Sequence, residues 1–277
     1  MIRRLLTLWK LRYYDPLCRR PWLCQRELSS DVPLDIVQVT ASKDAEMLEQ
    51  SLLSVKKHLR HPLGMFFIVS PEDAALRAIA EKHGALFRDE REVFGFGKEK
   101  TPYRFKDQDR SGWLFQQLLK LNADSFVNTE HYLVLDADTV FLKPRVFLFE
   151  GKTIFDHSNE HHAAYYRTYR KLFGQPVRSP VSFVAHCMLF QKSVLAEMKR
   201  ILEARHGKIW YEAILDACDY DDISGFSEYE TYGNFFLANH PDRYLGEYWF
   251  NFAHHELTEN CPPEARSLSV HSYRKKS

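Results

Sequence analysis

The sequence predicts an α/β protein, a Rossmann-type mixed sheet flanked by helices, folded as a single domain. Three observations predict it. Apolar strand-like runs alternate with amphipathic helical runs from residue 34 to residue 90, the pattern of a parallel sheet with helices on its faces. A further helical run is followed by "YLVLDADTVFL", an apolar strand that ends in two acids one residue apart. No Pro/Gly/Ser-rich linker, internal repeat or low-complexity tract divides the chain, so one sizeable domain is the simpler organisation.

The elements follow in order. "LDIVQVTA" (34–41) alternates and is rich in β-branched residues, which predicts a strand. In "DAEMLEQSLLSVKKHLR" (44–60), Met47, Leu48, Leu52 and Val55 share one helical face, and Asp44 is placed to cap it. "GMFFIVS" (64–70) is a short apolar strand, and "PEDAALRAIAEKHG" (71–84) is a helix with Pro71 at its start and Gly84 at its end. "ALFRDE" (85–90) is a third strand, and residues 91–110 read as a loop. "SGWLFQQLLKLNA" (111–123) is a helix capped by Ser111. Beyond the acidic strand, "SFVAHCMLFQ" (182–191) reads as a strand, and 192–207, 209–218 and 227–240 read as helices. The last of these begins with a capping box, Ser227-x-x-Glu230.

Composition excludes some classes. Lys and Arg number 38 against 37 Asp and Glu, so net charge gives no reason to expect nucleic acid as a partner. The five cysteines have no C-x-x-C spacing and are odd in number. Neither a disulfide framework nor a cysteine zinc site is indicated, and a reducing compartment, the cytoplasm, is expected. "HHELTEN" (254–260) is not H-E-x-x-H, and the histidines of "DHSNEHH" (156–162) lack regular spacing, so both read as loop features.

Residues 1–30 stand apart as a basic amphipathic segment. Ile2, Leu5, Leu6, Trp9 and Tyr13 share one helical face, with Arg3, Arg4, Lys10 and Arg12 supplying charge. The run is too short to span a bilayer, and it lacks a cleavage site. It fits either peripheral contact, through residues 1–25, with the inner face of a membrane or docking on its own domain.

Asp136 and Asp138 sit where an open α/β sheet binds ligands, outside the carboxyl end of a strand. If the chain stays extended through Ala137, both carboxylates face one side and suit a hard divalent cation, Mg²⁺ or Mn²⁺. A turn in which Asp caps backbone N–H groups is the competing use. Two chemistries use such a pair. One is sugar transfer from a nucleotide-diphosphate donor. The other is haloacid-dehalogenase-like phosphoryl hydrolysis, with Asp136 as nucleophile, which "DADTV" satisfies literally. The hydrolase pattern belongs on the first strand and needs a later acidic pair after an apolar strand; "DACDYDDISG" (216–225) follows no such strand.

"SGWLFQQLLKL", "YLVLDADTVFL", "FVAHCMLF" and "GFSEYETYGNF" occur in that order. Together they resemble a group of bacterial glycosyltransferase-like proteins of the GT-A fold, associated with surface polysaccharide or lipopolysaccharide assembly. The resemblance runs from about residue 34 to the C-terminus. It implies a metal-assisted transferase acting on a nucleotide sugar and a glycan or lipid-linked acceptor. It implies that Asp138 ligates the metal and that Asp136 reaches the ribose, or the metal through water. A late histidine, His271, is the expected third ligand.

Around that centre other residues take expected parts. Arg274 and Lys275 follow His271 and can meet the diphosphate. Thr40, Ser42 and Asp44, at the first strand–helix junction, are candidates for base or ribose. Gln117 and Lys120 lie on the helix before the acidic strand and can reach the donor, surface placement being the alternative. Inverting transfer needs a carboxylate base near the acceptor hydroxyl. Glu228 and Glu230 are the candidates, Glu230 having the competing role in the capping box. Retaining transfer needs no such base. His186, inside its apolar run, reads first as a hydrogen-bonded core histidine. A non-catalytic sugar-nucleotide binder is the remaining alternative.

Overall fold

The structure, a computed structural model, describes residues 28–158, 160–248, 251–253 and 265–269. The segment 1–27 and the residues His271, Arg274 and Lys275 lie outside them.

Strands β1 (Leu34–Val39), β2 (Leu63–Ser70) and β3 (Leu86–Asp89) are joined by helices α1 (Ala45–His58) and α2 (Ala74–His83). After a short helix α3 (Glu90–Phe94) and a two-residue hairpin, β4 (Arg104–Phe105) with β5 (Gln108–Asp109), comes helix α4 (Ser111–Leu121) and then β6 (His131–Leu135). The chain continues through β7 (Thr139–Phe141), β8 (Leu148–Phe149), β9 (Lys152–His157) and α5 (Ala163–Phe173) to β10 (Cys187–Gln191). Helices α6 (Lys192–His206), α7 (Trp210–Ala217) and α8 (Glu228–Asn239) follow, then β11 (Tyr244–Tyr248), β12 (Asn251–Ala253) and β13 (Ser267–Ser269).

The main sheet has the order β10-β6-β1-β2-β3. β1, β2, β3 and β6 are parallel and β10 is antiparallel to β6. Its inner strands are apolar on both faces because helices cover both. Val37, Val39, Phe67, Tyr132, Val134, Met188 and Phe190 face the core shared with α4, α6, α7 and α8. Ile36, Ile68, Leu133, Leu135, Cys187 and Leu189 face the core shared with α1 and α2. The period-2 alternation of strand side chains sorts them.

Helix ends follow local chemistry. Gly84 and Gly207 close α2 and α6 in the left-handed conformation, where a Cβ is unfavourable. Several expectations are corrected. Asp73, not Pro71, starts α2, its carboxylate accepting from the N–H groups of Ala75 and Leu76. Asp44 occupies the N-cap position of α1 but makes no side-chain capping bond. Ser111 is the first helical residue of α4 rather than its cap, and its hydroxyl accepts from the Tyr103 N–H. Residues 91–110 hold α3 and the small hairpin, and the strand read over 182–191 begins only at Cys187. His157 is no loop histidine: it ends β9, fully buried between the Ser182 carbonyl and the Tyr244 hydroxyl.

Candidate functional site

The acidic pair does not lie on an extended strand. β6 stops at Leu135, and Asp136–Asp138 form a turn closed by the Thr139 N–H on the Asp136 carbonyl at 3.0 Å. The two side chains therefore need not share a face, because strand alternation ends with the strand.

Asp136 is the hub of a charged cluster at that strand end. Register puts Cys187 opposite Leu135, so His186 falls beside Asp136. The Asp136 N–H donates to the His186 carbonyl at 2.9 Å, and His186 Nδ1 lies 3.1 Å from Asp136 Oδ2. His186 takes a φ of 62° to do this, a left-handed conformation uncommon outside glycine. It is thus not within a strand, contrary to the expectation. From α4, Lys120 Nζ reaches Asp136 Oδ1 at 2.5 Å and Glu228 Oε1 at 2.8 Å. The Tyr229 hydroxyl donates to Asp136 Oδ1 at 2.9 Å, and Lys120 lies over the Tyr229 ring at 4.7 Å. Glu228 and Tyr229 come from the first turn of α8, capped by the Ser227 hydroxyl, where the helix dipole favours an acid.

Burial alone disfavours every charge in this cluster, and pairing decides the outcome. Burial pulls the Lys120 ammonium down, but Asp136 and Glu228 outweigh it and hold it above its ordinary value. Burial pushes Asp136 up, but Lys120 and His186 outweigh it and hold the carboxyl well below the usual range. Burial pulls His186 down, but its bond to Asp136 lifts it to about 9, an imidazolium at neutral pH. Glu228 ends above its ordinary value, since burial exceeds the help from Lys120. Its Oε2 has no hydrogen-bond partner.

The two candidate catalytic glutamates are both wholly buried, in different surroundings. Glu228 anchors Lys120. Glu230 forms half a capping box: its N–H donates to Ser227, but its side chain does not turn back. Instead it accepts from the Ser182 hydroxyl at 2.6 Å, the Phe183 N–H at 3.1 Å and Asn234 at 3.0 Å, with the Tyr166 hydroxyl at 3.3 Å. Gly233 lets α8 lie this close, since a Cβ there meets the Phe183 ring at 2.5 Å.

Burial lifts Glu230 to about 7 from an ordinary 4.5, against those hydrogen bonds. Between the two values the folded chain holds a proton that the unfolded chain has released. Its contribution therefore lowers stability as pH rises from 4.5 to about 7. Burial holds His157 at about 3 against an ordinary 6.5, which gives the opposite slope: stability falls as pH drops below 6.5. Urea denaturation of Glu230→Gln across pH 4.5–7.5 is expected to retain the histidine slope and lose the glutamate one. An unchanged profile counts against a buried, titrating Glu230.

Other expected residues are placed as follows. Lys120 is buried in the cluster, not on the surface. Gln117 is buried, and its amide donates to the Trp113 carbonyl within its own helix. Thr40 is buried at the end of β1. Ser42 donates to Asp73 at 2.5 Å, tying the first strand–helix junction to the second. Asp138 is half-buried. Among the described residues no group of three or more His, Cys, Asp and Glu is arranged to hold a metal ion. Asp136 has both oxygens engaged by Lys120, Tyr229 and His186, so these residues alone do not make a cation site.

Sequence reasoning missed the join of His186 and Tyr229 to Asp136. The first was readable only by aligning "VLD" with "HCM" as antiparallel neighbours. Also missed was a cavity of about 500 Å³ at the carboxyl ends of β1, β2 and β3, walled by Ala41, Pro71, Glu90, Lys98, Gly112 and Gln116 among others. It lies along α4, the helix that carries Lys120 to Asp136.

Residues 28–268 match a family of unknown function, DUF6492. The chain belongs to that family. No curated protein sequence matches this DUF6492 member. Among solved structures, it is similar to mouse xyloside xylosyltransferase 1 in its apo form: TM-score 0.50 and 12% identity, over 86% of this chain and 97% of that one. It is equally similar to galactosyltransferase LgtC in complex with donor and acceptor sugar analogues: TM-score 0.50 and 14% identity, over 86% of this chain and 87% of that one. At these identities the likeness concerns the fold, which is the mixed α/β fold of GT-A glycosyltransferases. No helix among the described residues is long and apolar enough to cross a membrane.

Proposed function

We propose that this chain is a glycosyltransferase that moves a sugar from a nucleotide-diphosphate donor to a glycan or lipid-linked acceptor in surface polysaccharide assembly. One observation carries the reading. The D-x-D turn at the carboxyl end of β6 is bonded by Lys120 of α4, the helix whose Ser111, Gly112 and Gln116 line a cavity of nucleotide size at the neighbouring strand ends. In the reaction the acceptor oxygen bonds to the anomeric carbon, the bond to the diphosphate breaks, and the acceptor proton leaves to a base or to the departing phosphate. Lys120 and His186 are the cations placed beside Asp136, where they offset charge near a diphosphate. A divalent cation, Mn²⁺ or Mg²⁺, belongs to this reading, with Asp138 and His271 assigned to it and Arg274 and Lys275 to the diphosphate. When bound, it neutralises the leaving diphosphate.

The burial of Glu228 and Glu230 favours retention of anomeric configuration, the route that needs no enzyme carboxylate on the acceptor side. An NMR assignment of the product anomer that shows inversion would overturn that part. Residues 1–25 are assigned to peripheral contact with the cytoplasmic face of a membrane, beside a lipid-linked acceptor. Unchanged membrane recovery after their deletion would remove that assignment.

The central test is calorimetry with a panel of nucleotide diphosphates and nucleotide sugars, with and without Mn²⁺, on wild type and Asp138→Ala. The expected result is Mn²⁺-dependent binding that the variant weakens by about 10- to 100-fold. A folded wild type that binds no nucleotide would sink the transferase reading and bring phosphatase assays forward.

A further inference from the structure

Three carboxylates wall the cavity at the strand ends: Glu90, Glu99 and Asp109. Two are engaged. Glu99 pairs with Arg91 at 3.0 and 3.1 Å and accepts the Gly97 N–H. Asp109 accepts the Ser111 N–H at 2.9 Å. Glu90 is only 9% exposed and, among the described residues, has no hydrogen-bond or ion-pair partner; the charges of Arg91 and Lys98, on the same cavity wall, act on it only at longer range. Burial raises its carboxyl above the ordinary value. Its oxygens are not among the fully buried atoms left without a partner, so they open onto the cavity, and a ligand that displaces water from them has to bring donors. The cavity is also lined by Ala41, Pro71 and Gly112, short or flat groups against which a planar ring can lie.

Resting on the transferase reading, the geometry points to a guanine nucleotide as the donor, its base held by Glu90. An ionised carboxylate is acceptor-only and has two oxygens to satisfy. Guanine alone among the common bases carries two adjacent donors, N1–H and N2–H₂, on its Watson–Crick edge. Uracil sets its single N–H between two carbonyl oxygens that a carboxylate repels. Adenine and cytosine each place an amino group beside a ring nitrogen lone pair, leaving one carboxylate oxygen against another acceptor. Distance agrees with the assignment. Gly112 lines the cavity, and Lys120, eight residues on, holds Asp136. Eight residues of helix rise about 12 Å, comparable to the reach of a ribose and diphosphate.

The test is calorimetric binding of GDP, IDP, UDP, CDP and ADP to the full chain in the presence of Mn²⁺. GDP is expected to bind about 10- to 100-fold more tightly than UDP, CDP or ADP. IDP, which keeps N1–H and lacks the 2-amino group, is expected to fall between. Glu90→Gln replaces one acceptor by a donor, and it is expected to weaken GDP about 10-fold or more without weakening UDP. UDP, CDP or ADP matching GDP, or IDP equalling GDP, overturns the base assignment while leaving the donor site standing. So does a folded Glu90→Gln with wild-type preference. Should that variant not fold, the wild-type ranking decides. If the folded wild type binds none of the five, the transferase reading itself fails, and the base assignment with it.

Discussion

Lys120→Met is expected to lower the free energy of unfolding by about 3–5 kcal/mol. Lys120 is 5% exposed and sits between two acids, Asp136 at 2.5 Å and Glu228 at 2.8 Å. Methionine keeps the apolar stem and removes only the charge. Asp136 then retains His186 and Tyr229, but Glu228 is left with neither oxygen on a donor side chain. Its Oε2 already lacks a partner, and its Oε1 would lose Lys120. The penalty is that of uncompensated buried charge, larger than the net worth of the pair itself. The double variant Lys120→Met, Glu228→Gln should recover a large part of the loss. Urea denaturation of wild type, both single variants and the double one measures the coupling. A loss below about 1 kcal/mol, or no recovery in the double variant, would mean that water or rearrangement already screens the cluster.

Arg145→Met is expected to cost a similar amount, about 3–5 kcal/mol, in a second buried charged cluster. β9 and β11 pair in parallel with Asp156 directly beside Glu247, two buried acids in register. Arg145 separates them. Its Nη2 bonds both Asp156 oxygens at 2.5 and 2.6 Å, and its Nη1 lies 3.7 Å from Glu247. Arg266 bonds the other Glu247 oxygen, and the Cys187 thiol donates to Asp156 at 3.3 Å. Like charges directly opposite in a sheet repel, so losing the guanidinium should open the β8-β9-β11 sheet first. Hydrogen exchange on β9 and β11 amides reads this directly: faster exchange there than in β1 and β2 is the expected pattern. Lys at position 145 is expected to recover only part of the stability, because a single ammonium nitrogen cannot reach Asp156 and Glu247 together as the two guanidinium nitrogens do.

The order of elements was legible because periodicity is a local property. Alternating strands and amphipathic helices in residues 34–90 led to the parallel run β1-β2-β3, and capping glycines marked where α2 and α6 stop. Asp136 was legible as a site residue because apolar strand ends are where open sheets bind ligands. Lys120 reads from its helix position as a residue for the donor or the surface, and nothing in that pattern shows that two acids bury it.

By itself, the sequence determined the α/β class, the strand that carries the acidic pair, and the helix that precedes it, since each rests on side-chain spacing within a dozen residues. Only the tertiary structure decided which groups meet at Asp136. His186 arrives by antiparallel pairing of β10 with β6, Lys120 from α4 and Tyr229 from α8, elements 16 to 93 residues away in the chain. It also decided that Glu228 and Glu230 point into the protein while Glu90, in a stretch with no motif, lines a cavity without a partner. Burial and pairing depend on which elements pack together. A carboxylate is written the same way in sequence whether it faces a lysine, an empty cavity or water.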